Sequence, residues 1–85
     1  MWNREGYNIY VSTRKNKKYD VFKDNKYVSS FGSRDMEHYK DRLGYYSHLD
    51  HNDPVRREAF KNRFRRLISK NNKSSGIYWS NRFLW

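Results

Sequence analysis

Two histidines and two aspartates lie within six residues of one another, at His48, Asp50, His51 and Asp53. Imidazole nitrogens and carboxylate oxygens bind zinc and other divalent metals, and a histidine near acids can titrate close to neutral pH. The spacing matches no established ligand pattern. Asp53 instead precedes Pro54, as an N-cap residue precedes the first residue of a helix. We therefore predict capping and turn formation here, with no metal site and no cofactor.

Other combinations of residues that could catalyse a reaction are also weak. The chain contains no cysteine, no glycine-rich phosphate loop and no nucleophile elbow. A His–Asp pair alone lacks a nucleophile, and the neighbours Lys73, Ser74 and Ser75 are typical of a flexible loop. A chain of 85 residues leaves little room for a substrate pocket. We therefore predict that the protein is not an enzyme.

Positive charge is the strongest chemical signal in the chain. The formal net charge is +10, and it is uneven: residues 54–73 carry eight bases against one acid, whereas residues 35–53 carry five acids against two bases. On a helix, several bases of the first segment fall on one stripe. The residues predicted to contact an acidic partner are Arg56, Arg57, Lys61, Arg63, Arg66 and Lys70.

A basic stripe of this kind has two interpretations. It can lie along a nucleic-acid backbone, because each cation can neutralise a phosphate and release counterions. It can also be a solvated face whose cations pair with the acids of residues 35–53. Base-specific recognition is not expected, because no helix-turn-helix or zinc-finger spacing is present.

Aromatic residues interleave with bases in the first third of the chain. Such rings can stack on single-stranded bases, although tyrosine is also a favoured strand residue that half-buries well. The residues concerned are Tyr7, Tyr10, Arg14, Tyr19 and Tyr27.

The segment 77–85 is rich in large apolar residues. Tryptophan, tyrosine and arginine are preferred anchors of protein interfaces, so the segment predicts an aromatic clasp that docks in a groove of a partner. The alternative is that it completes the core of its own domain. The predicted aromatic anchors are Trp79, Phe83 and Trp85.

The elements that position these residues follow from periodicity and turn signals. Tyr7, Ile9 and Val11 alternate with more polar neighbours, as in a strand. Two further runs, 19–23 and 26–31, are also expected to be strands. Asp24 and Asn25 separate the last two runs and tolerate the positive φ angles of a tight hairpin. A β-meander over 7–31 is therefore expected.

Two helices are predicted after the meander. Residues 34–43 form a short helix, with Gly44 as its C-terminal stop. Residues 54–70 form the main helix, because neither glycine nor proline interrupts the segment after its cap. Its predicted buried face consists of Phe60, Phe64, Leu67 and Ile68.

Together these elements predict one small basic α+β domain over 1–85, with a three-stranded antiparallel meander packed on one long basic helix, a short helix and an aromatic C-terminal segment. The mean hydropathy of −1.32 would suggest disorder, but sixteen aromatic residues argue for a folded chain. No apolar run approaches the ~18 residues of a membrane span, and no signal peptide is expected.

Several motifs occur in a recognisable order. They are Lys18-Tyr19-Asp20-Val21-Phe22, His51-x-Asp53-x-x-Arg56-Arg57-x-x-Phe60-x-x-Arg63, Tyr78-Trp79-Ser80 and Leu84-Trp85. In this order the chain resembles a family of small uncharacterised proteins of large eukaryotic double-stranded DNA viruses, the giant-virus and chlorovirus group. The resemblance implies a viral protein and supplies no reaction.

Two functions follow as expectations. The first is a non-enzymatic structural or interaction protein of the virion, such as a minor capsid or cement component. It would dock on an acidic viral protein, for example a capsid protein, as part of an oligomer or assembly. The second is an accessory protein that binds DNA or RNA phosphates without sequence specificity. The expected location is the virion, and the host cytoplasm or viral factory during assembly.

Overall fold

A computed structural model describes residues 2–85. Four strands come first and form one antiparallel sheet in sequence order: β1 Trp2–Arg4, β2 Tyr7–Val11, β3 Lys17–Lys23 and β4 Lys26–Ser33. A long loop with a short 3₁₀ helix at Ser47–Leu49 follows. The chain then forms three α-helices: α1 Pro54–Arg63, α2 Arg65–Ser69 and α3 Gly76–Phe83.

The sheet has four strands, so the predicted three-stranded meander is wrong. The additional strand is β1, which joins β2 through Glu5 and Gly6, both at positive φ. The Trp2 ring at its start meets the ring of Tyr19 edge-on, with centroids 5.6 Å apart. Three residues are too few to show a period of two, and the strand is stabilised by this contact with a residue distant in sequence.

The turn between β3 and β4 is the predicted one. Asp24 and Asn25 have φ angles of 51° and 63°, the left-handed values that a tight two-residue hairpin requires. The hairpin prediction at these residues is confirmed.

One face of the sheet is covered and forms the core with α3. The Trp79 ring lies between the rings of Tyr7 and Phe83, with centroid distances of 5.0 and 6.0 Å. Its Nε1 donates to the Lys73 carbonyl oxygen at 2.7 Å. The buried apolar residues are Ile9, Tyr19, Val21, Phe31, Tyr46, Trp79, Phe83 and Leu84. Residues 77–85 therefore complete the core of their own domain.

Helix α3 begins where the chain passes the edge of β4. The Ser75 hydroxyl caps the helix by accepting from the Ile77 amide at 3.2 Å. A Cβ on Gly76 would lie 2.7 Å from the Ser30 carbonyl oxygen, so only glycine allows this close approach of helix and strand.

Residues 34–43 do not form the predicted short helix. This part of the chain consists of turns and one isolated bridge between His38 and Asp50. The Asp41 carboxylate accepts from the amides of Leu43 and Tyr46, and from the buried Tyr19 hydroxyl. Side-chain hydrogen bonds to main-chain amides compete with helix formation in this way, and here they hold the loop against the sheet.

The predicted single helix over 54–70 is two helices. The break lies at Phe64, whose φ of −108° and ψ of 18° end α1 and start α2. No residue of α1 or α2 is fully buried, and Leu67 of the predicted buried face is 43% exposed. After the break, α2 packs against α3. Among residues 2–85, no helix is both long and apolar enough to cross a bilayer.

Candidate partner-binding groove

A groove of about 810 Å³ lies between α1, one edge of β4 and the first turn of α3. It exists because α1 stands away from the sheet and touches the rest of the chain at few points. Its apolar lining includes Phe31, Phe60, Phe64, Ile77, Leu84 and Trp85.

The β4 side of the groove is the edge of the strand. Four consecutive residues, 30–33, line the groove. Successive side chains of a strand point to opposite faces, so consecutive residues reach one groove only when the strand edge faces it. Among the described strands, β4 pairs only with β3. Its other edge faces the groove, so main-chain amide and carbonyl groups of β4 also border the groove.

Positive charge dominates the groove. The lining includes Lys17, Lys18, Arg56 and Arg63 against the single acid Glu37. Arg56 donates to Glu37 at 3.0 Å, and both side chains are about half exposed. The remaining cations give the groove a net positive charge, which favours an acidic ligand.

Lys18 lies beneath the groove and is 1% exposed. Its Nζ donates to the Met36 carbonyl at 2.5 Å. Burial lowers the pKa of Lys18 from 10.5 to about 8, although the nearby carboxylates of Asp41, Asp35 and Asp50 favour the charged form. A buried ammonium without an ion-pair partner is costly, so this lysine weakens the fold at neutral pH.

His38 fixes the loop that forms one wall of the groove. Its Nε2 lies 2.6 Å from the Asp50 carboxylate, which also accepts from the Asp41 amide at 2.7 Å. Its main chain donates to Leu49 and accepts from His51. Burial lowers the pKa of His38, and the charge of Lys18 lowers it further. These contacts assign His38 to holding the loop in place.

The predicted cluster at 48–53 is divided among separate structural tasks. Asp53 caps α1 by accepting from the Val55 amide at 2.9 Å, which confirms the capping prediction. His51 Nδ1 accepts from the Asp53 amide at 2.9 Å, and burial lowers the pKa of this imidazole. His48 is exposed. Within residues 2–85, no group of three or more histidine or acidic side chains is placed to hold a metal ion.

Three of the six predicted cations make contacts within the chain. Arg56 pairs with Glu37. Arg57 Nε donates to the main-chain oxygen of Trp85 at 2.7 Å. Lys61 Nζ donates to Asn81 Oδ1 at 2.7 Å, and its pKa is lowered by burial and then by the charges of two nearby arginines. These contacts tie α1 to α3 and to the loop.

The other three predicted cations are exposed. Arg63, Arg66 and Lys70 have no acidic side chain within ion-pair distance among the described residues. Arg65, which was not among the predicted residues, lies beside them and its side chain donates to Asn62 Oδ1 at 2.7 Å. The positive charge at the end of α1 and along α2 is therefore not neutralised by ion pairs with the acidic residues of 35–53.

The three predicted aromatic anchors have different surroundings. Trp79 and Phe83 are buried in the chain's own core and offer almost no surface to a partner. Trp85 is partly exposed and lines the groove. Its ring stacks on Phe60 with centroids 4.5 Å apart and planes 3° from parallel, so it is the main apolar contact of α1.

The interleaved aromatic residues divide between the two faces of the sheet. Tyr7 and Tyr19 contact core rings on the covered face. Tyr10 and Tyr27 lie on the open face, with Phe22 between them at ring distances of 5.5 and 5.8 Å. The Arg14 guanidinium lies 4.0 Å from the Tyr27 ring centre.

Several groove residues were missed by the sequence analysis. Lys18 and His38 are polar residues in segments with no burial pattern, so nothing local indicates that they lie beneath the groove. Gly32, at φ 77°, and Gly76 were available signals of close approach. The chain matches no protein-family model, no curated protein and no solved structure.

Proposed function

We propose that this protein is a non-enzymatic interaction protein that holds an acidic segment of a partner protein in the groove between α1 and β4. The groove itself carries the proposal, because it combines an apolar lining with an excess of cations. Apolar contacts supply binding free energy, and complementary charge selects the partner and speeds association.

The geometry of α1 supports the same function. This helix buries none of its residues and meets the rest of the chain through a few side chains, namely Glu37, Tyr39, Asn81 and Trp85. Helices usually gain most of their stability by packing one face. A partner segment seated in the groove would cover the exposed Ala59 and the half-buried Phe60 and Phe64.

The proposed setting is the particle of a large DNA virus, where the protein would act as a minor capsid or cement component. Its acidic partner would be a capsid protein, and its location the virion. This setting rests on the sequence resemblance, whereas the groove supports only the interaction with an acidic segment.

The test uses a fluorescein-labelled nonapeptide in which glutamate alternates with valine and phenylalanine, measured by fluorescence anisotropy. Ala59→Trp fills the groove from its exposed α1 side. Val55→Trp adds the same ring to α1 outside the groove, since Val55 is exposed and absent from the groove lining. We expect Ala59→Trp to weaken binding at least tenfold, about 1.4 kcal/mol, and Val55→Trp to leave it unchanged.

Charge is tested in the same assay with a second matched pair. Arg63 lines the groove whereas Arg66 does not, and both side chains are exposed. Arg63→Glu should weaken peptide binding severalfold more than Arg66→Glu. Equal effects of the two variants, no effect of Ala59→Trp, or no binding by the unmodified protein would refute the groove as a binding site.

A second candidate function is binding of nucleic acid without sequence specificity. It is favoured by the exposed cations Arg63, Arg65, Arg66 and Lys70, which have no acidic partner among the described residues. Each cation that contacts a phosphate contributes about one unit to the slope of log affinity against log salt. On this alternative, Arg66→Glu would weaken binding to DNA and leave peptide binding intact.

A further inference from the structure

We propose that the open face of the sheet binds single-stranded nucleic acid, with Tyr10, Phe22 and Tyr27 as a stacking surface and Arg14 as a phosphate contact. This surface lies apart from the groove and does not depend on the function proposed for it.

The three rings lie on adjacent strands and form one continuous patch. Tyr10 pairs with Asp20 between β2 and β3, and Phe22 pairs with Tyr27 between β3 and β4. The rings therefore cross three strands on the face opposite the core. Tyr10 is 41% and Tyr27 is 46% exposed, so both keep free surface for a ligand, although the Arg14 guanidinium lies 4.0 Å from the Tyr27 ring centre.

A local irregularity of the sheet places Tyr27 in this patch. Between Val21 and Phe22 the pairing with β4 shifts by one residue. Ser29 opposes Val21 on the covered side in the regular register, whereas after the shift Tyr27, and not Val28, opposes Phe22 on the open side. Because a shift of one residue reverses which face a side chain occupies, this bulge brings Tyr27 onto the open face beside Phe22.

The charges of this face fit an anionic ligand. The carboxylate next to the patch, Asp20, is 6% exposed and accepts from the hydroxyls of Ser12 at 2.7 Å and Ser30 at 2.6 Å. Arg14 Nε lies 3.7 Å from it, and the Arg14 side chain is 51% exposed. Beside the rings the face therefore presents a guanidinium to solvent while its carboxylate is buried, within a chain of net charge +10.

Aromatic rings beside cations recognise single strands through general chemistry. Unpaired bases offer flat faces to aromatic side chains regardless of sequence, and arginine contacts the backbone. Duplex DNA hides its base faces, so the same surface should bind it less tightly. The exposed amides of Asn3 and Asn8 at the edge of the patch, 2.9 Å apart, can exchange their mutual hydrogen bond for bonds to base edges.

The test measures anisotropy of a fluorescein-labelled oligo(dT) of 12 nucleotides with the full chain at low salt, and compares it with a duplex of equal length. The Tyr10→Ser, Tyr27→Ser double variant should lower oligo(dT) affinity at least twentyfold, since each stacked base is worth roughly fivefold or more. Tyr45→Ser is the matched control, because Tyr45 is a 60% exposed tyrosine in the loop, and it should change affinity less than about twofold.

A second measurement needs no variant and so does not depend on whether the substituted chain folds. In an amide NMR titration with oligo(dT), the resonances of Asn8, Tyr10 and Phe22 should shift while those of α2 do not.

The Tyr10→Trp variant should retain or increase affinity for oligo(dT), because the larger ring stacks at least as well.

Four results would overturn the inference: no binding of oligo(dT) at low salt, equal affinity for oligo(dT) and duplex, unchanged affinity in the double variant, and shifts confined to α2. Shifts confined to α2, with loss of affinity in Arg66→Glu, would instead assign nucleic-acid binding to the cations of α2. None of these results bears on peptide binding in the groove, which Ala59→Trp tests separately.

Discussion

The sheet with α3 and the helix α1 are stabilised by different kinds of contact. Trp79, Phe31 and Leu84 are at most 1% exposed and belong to one continuous aromatic and aliphatic core. Helix α1 buries no residue and is attached through one ring stack, two side-chain hydrogen bonds, one exposed ion pair and one cation–π contact, of Arg57 with Tyr39. The first region can carry the stability of the domain, whereas the second adds few contacts to it.

The largest expected effect is in the core. Trp79→Ala should lower the free energy of unfolding by about 3–5 kcal/mol, because it removes the ring between sheet and α3 and leaves a cavity. Urea denaturation followed by circular dichroism measures this loss. A loss below about 1 kcal/mol would mean that the two regions share stability more evenly than their burial indicates.

The free energy of unfolding should depend on pH because of the buried lysine beneath the groove. Lys18 has a pKa of about 8 in the folded chain and 10.5 when unfolded. Between these values the unfolded state binds more protons, so the free energy of unfolding rises with pH. We expect a gain of about 1–3 kcal/mol between about pH 8 and 10. Burial and the hydrogen bond to Asp41 raise the pKa of Tyr19, and this tyrosine opposes the gain above that range.

Denaturation of two neighbouring variants isolates the lysine responsible. Lys18→Met should remove most of the gain and leave a smaller slope, to which Lys61 contributes because burial also lowers its pKa. Lys17→Met is the control, since Lys17 is exposed, and it should keep the slope of the unmodified protein. Equal slopes in both variants would assign the pH dependence to other groups.

The smallest global effect is expected where α1 is attached. Trp85→Ala removes the stack on Phe60 but keeps the main-chain oxygen that Arg57 contacts. We expect a loss of about 1–2 kcal/mol in global stability, with faster hydrogen exchange in α1 and little change in α3. Trp85→Phe should largely restore protection. Equal acceleration in both helices would contradict the independence of α1.

Local signals were sufficient for part of the fold. The Asp24-Asn25 hairpin and the Asp53 cap depend on residues adjacent in sequence, and both were predicted. The strand β1, the break at Phe64 and the loop at 34–43 were not, because each is determined by contacts between residues far apart in the chain. Trp2 meets Tyr19, α2 turns to pack on α3, and Asp41 binds Tyr19.

From the sequence, the types of residue at the candidate site could be predicted, but their arrangement could not. The charge pattern identified the cations of α1 and α2, but three of the six contact Glu37, Trp85 and Asn81 within the chain. The groove also depends on how far α1 stands from β4, which no local pattern encodes. The alternation of strand residues, by contrast, is enough to separate Tyr10 from the core once the register is known.

The close approach of Gly76 to the Ser30 carbonyl makes position 76 a spacer between α3 and β4. Any larger residue there must push the helix outward, and the aperture of the groove would change without alteration of its charged rim. The width of the groove is therefore set by the contact between one α-carbon and one carbonyl oxygen, at a residue that itself lines the groove.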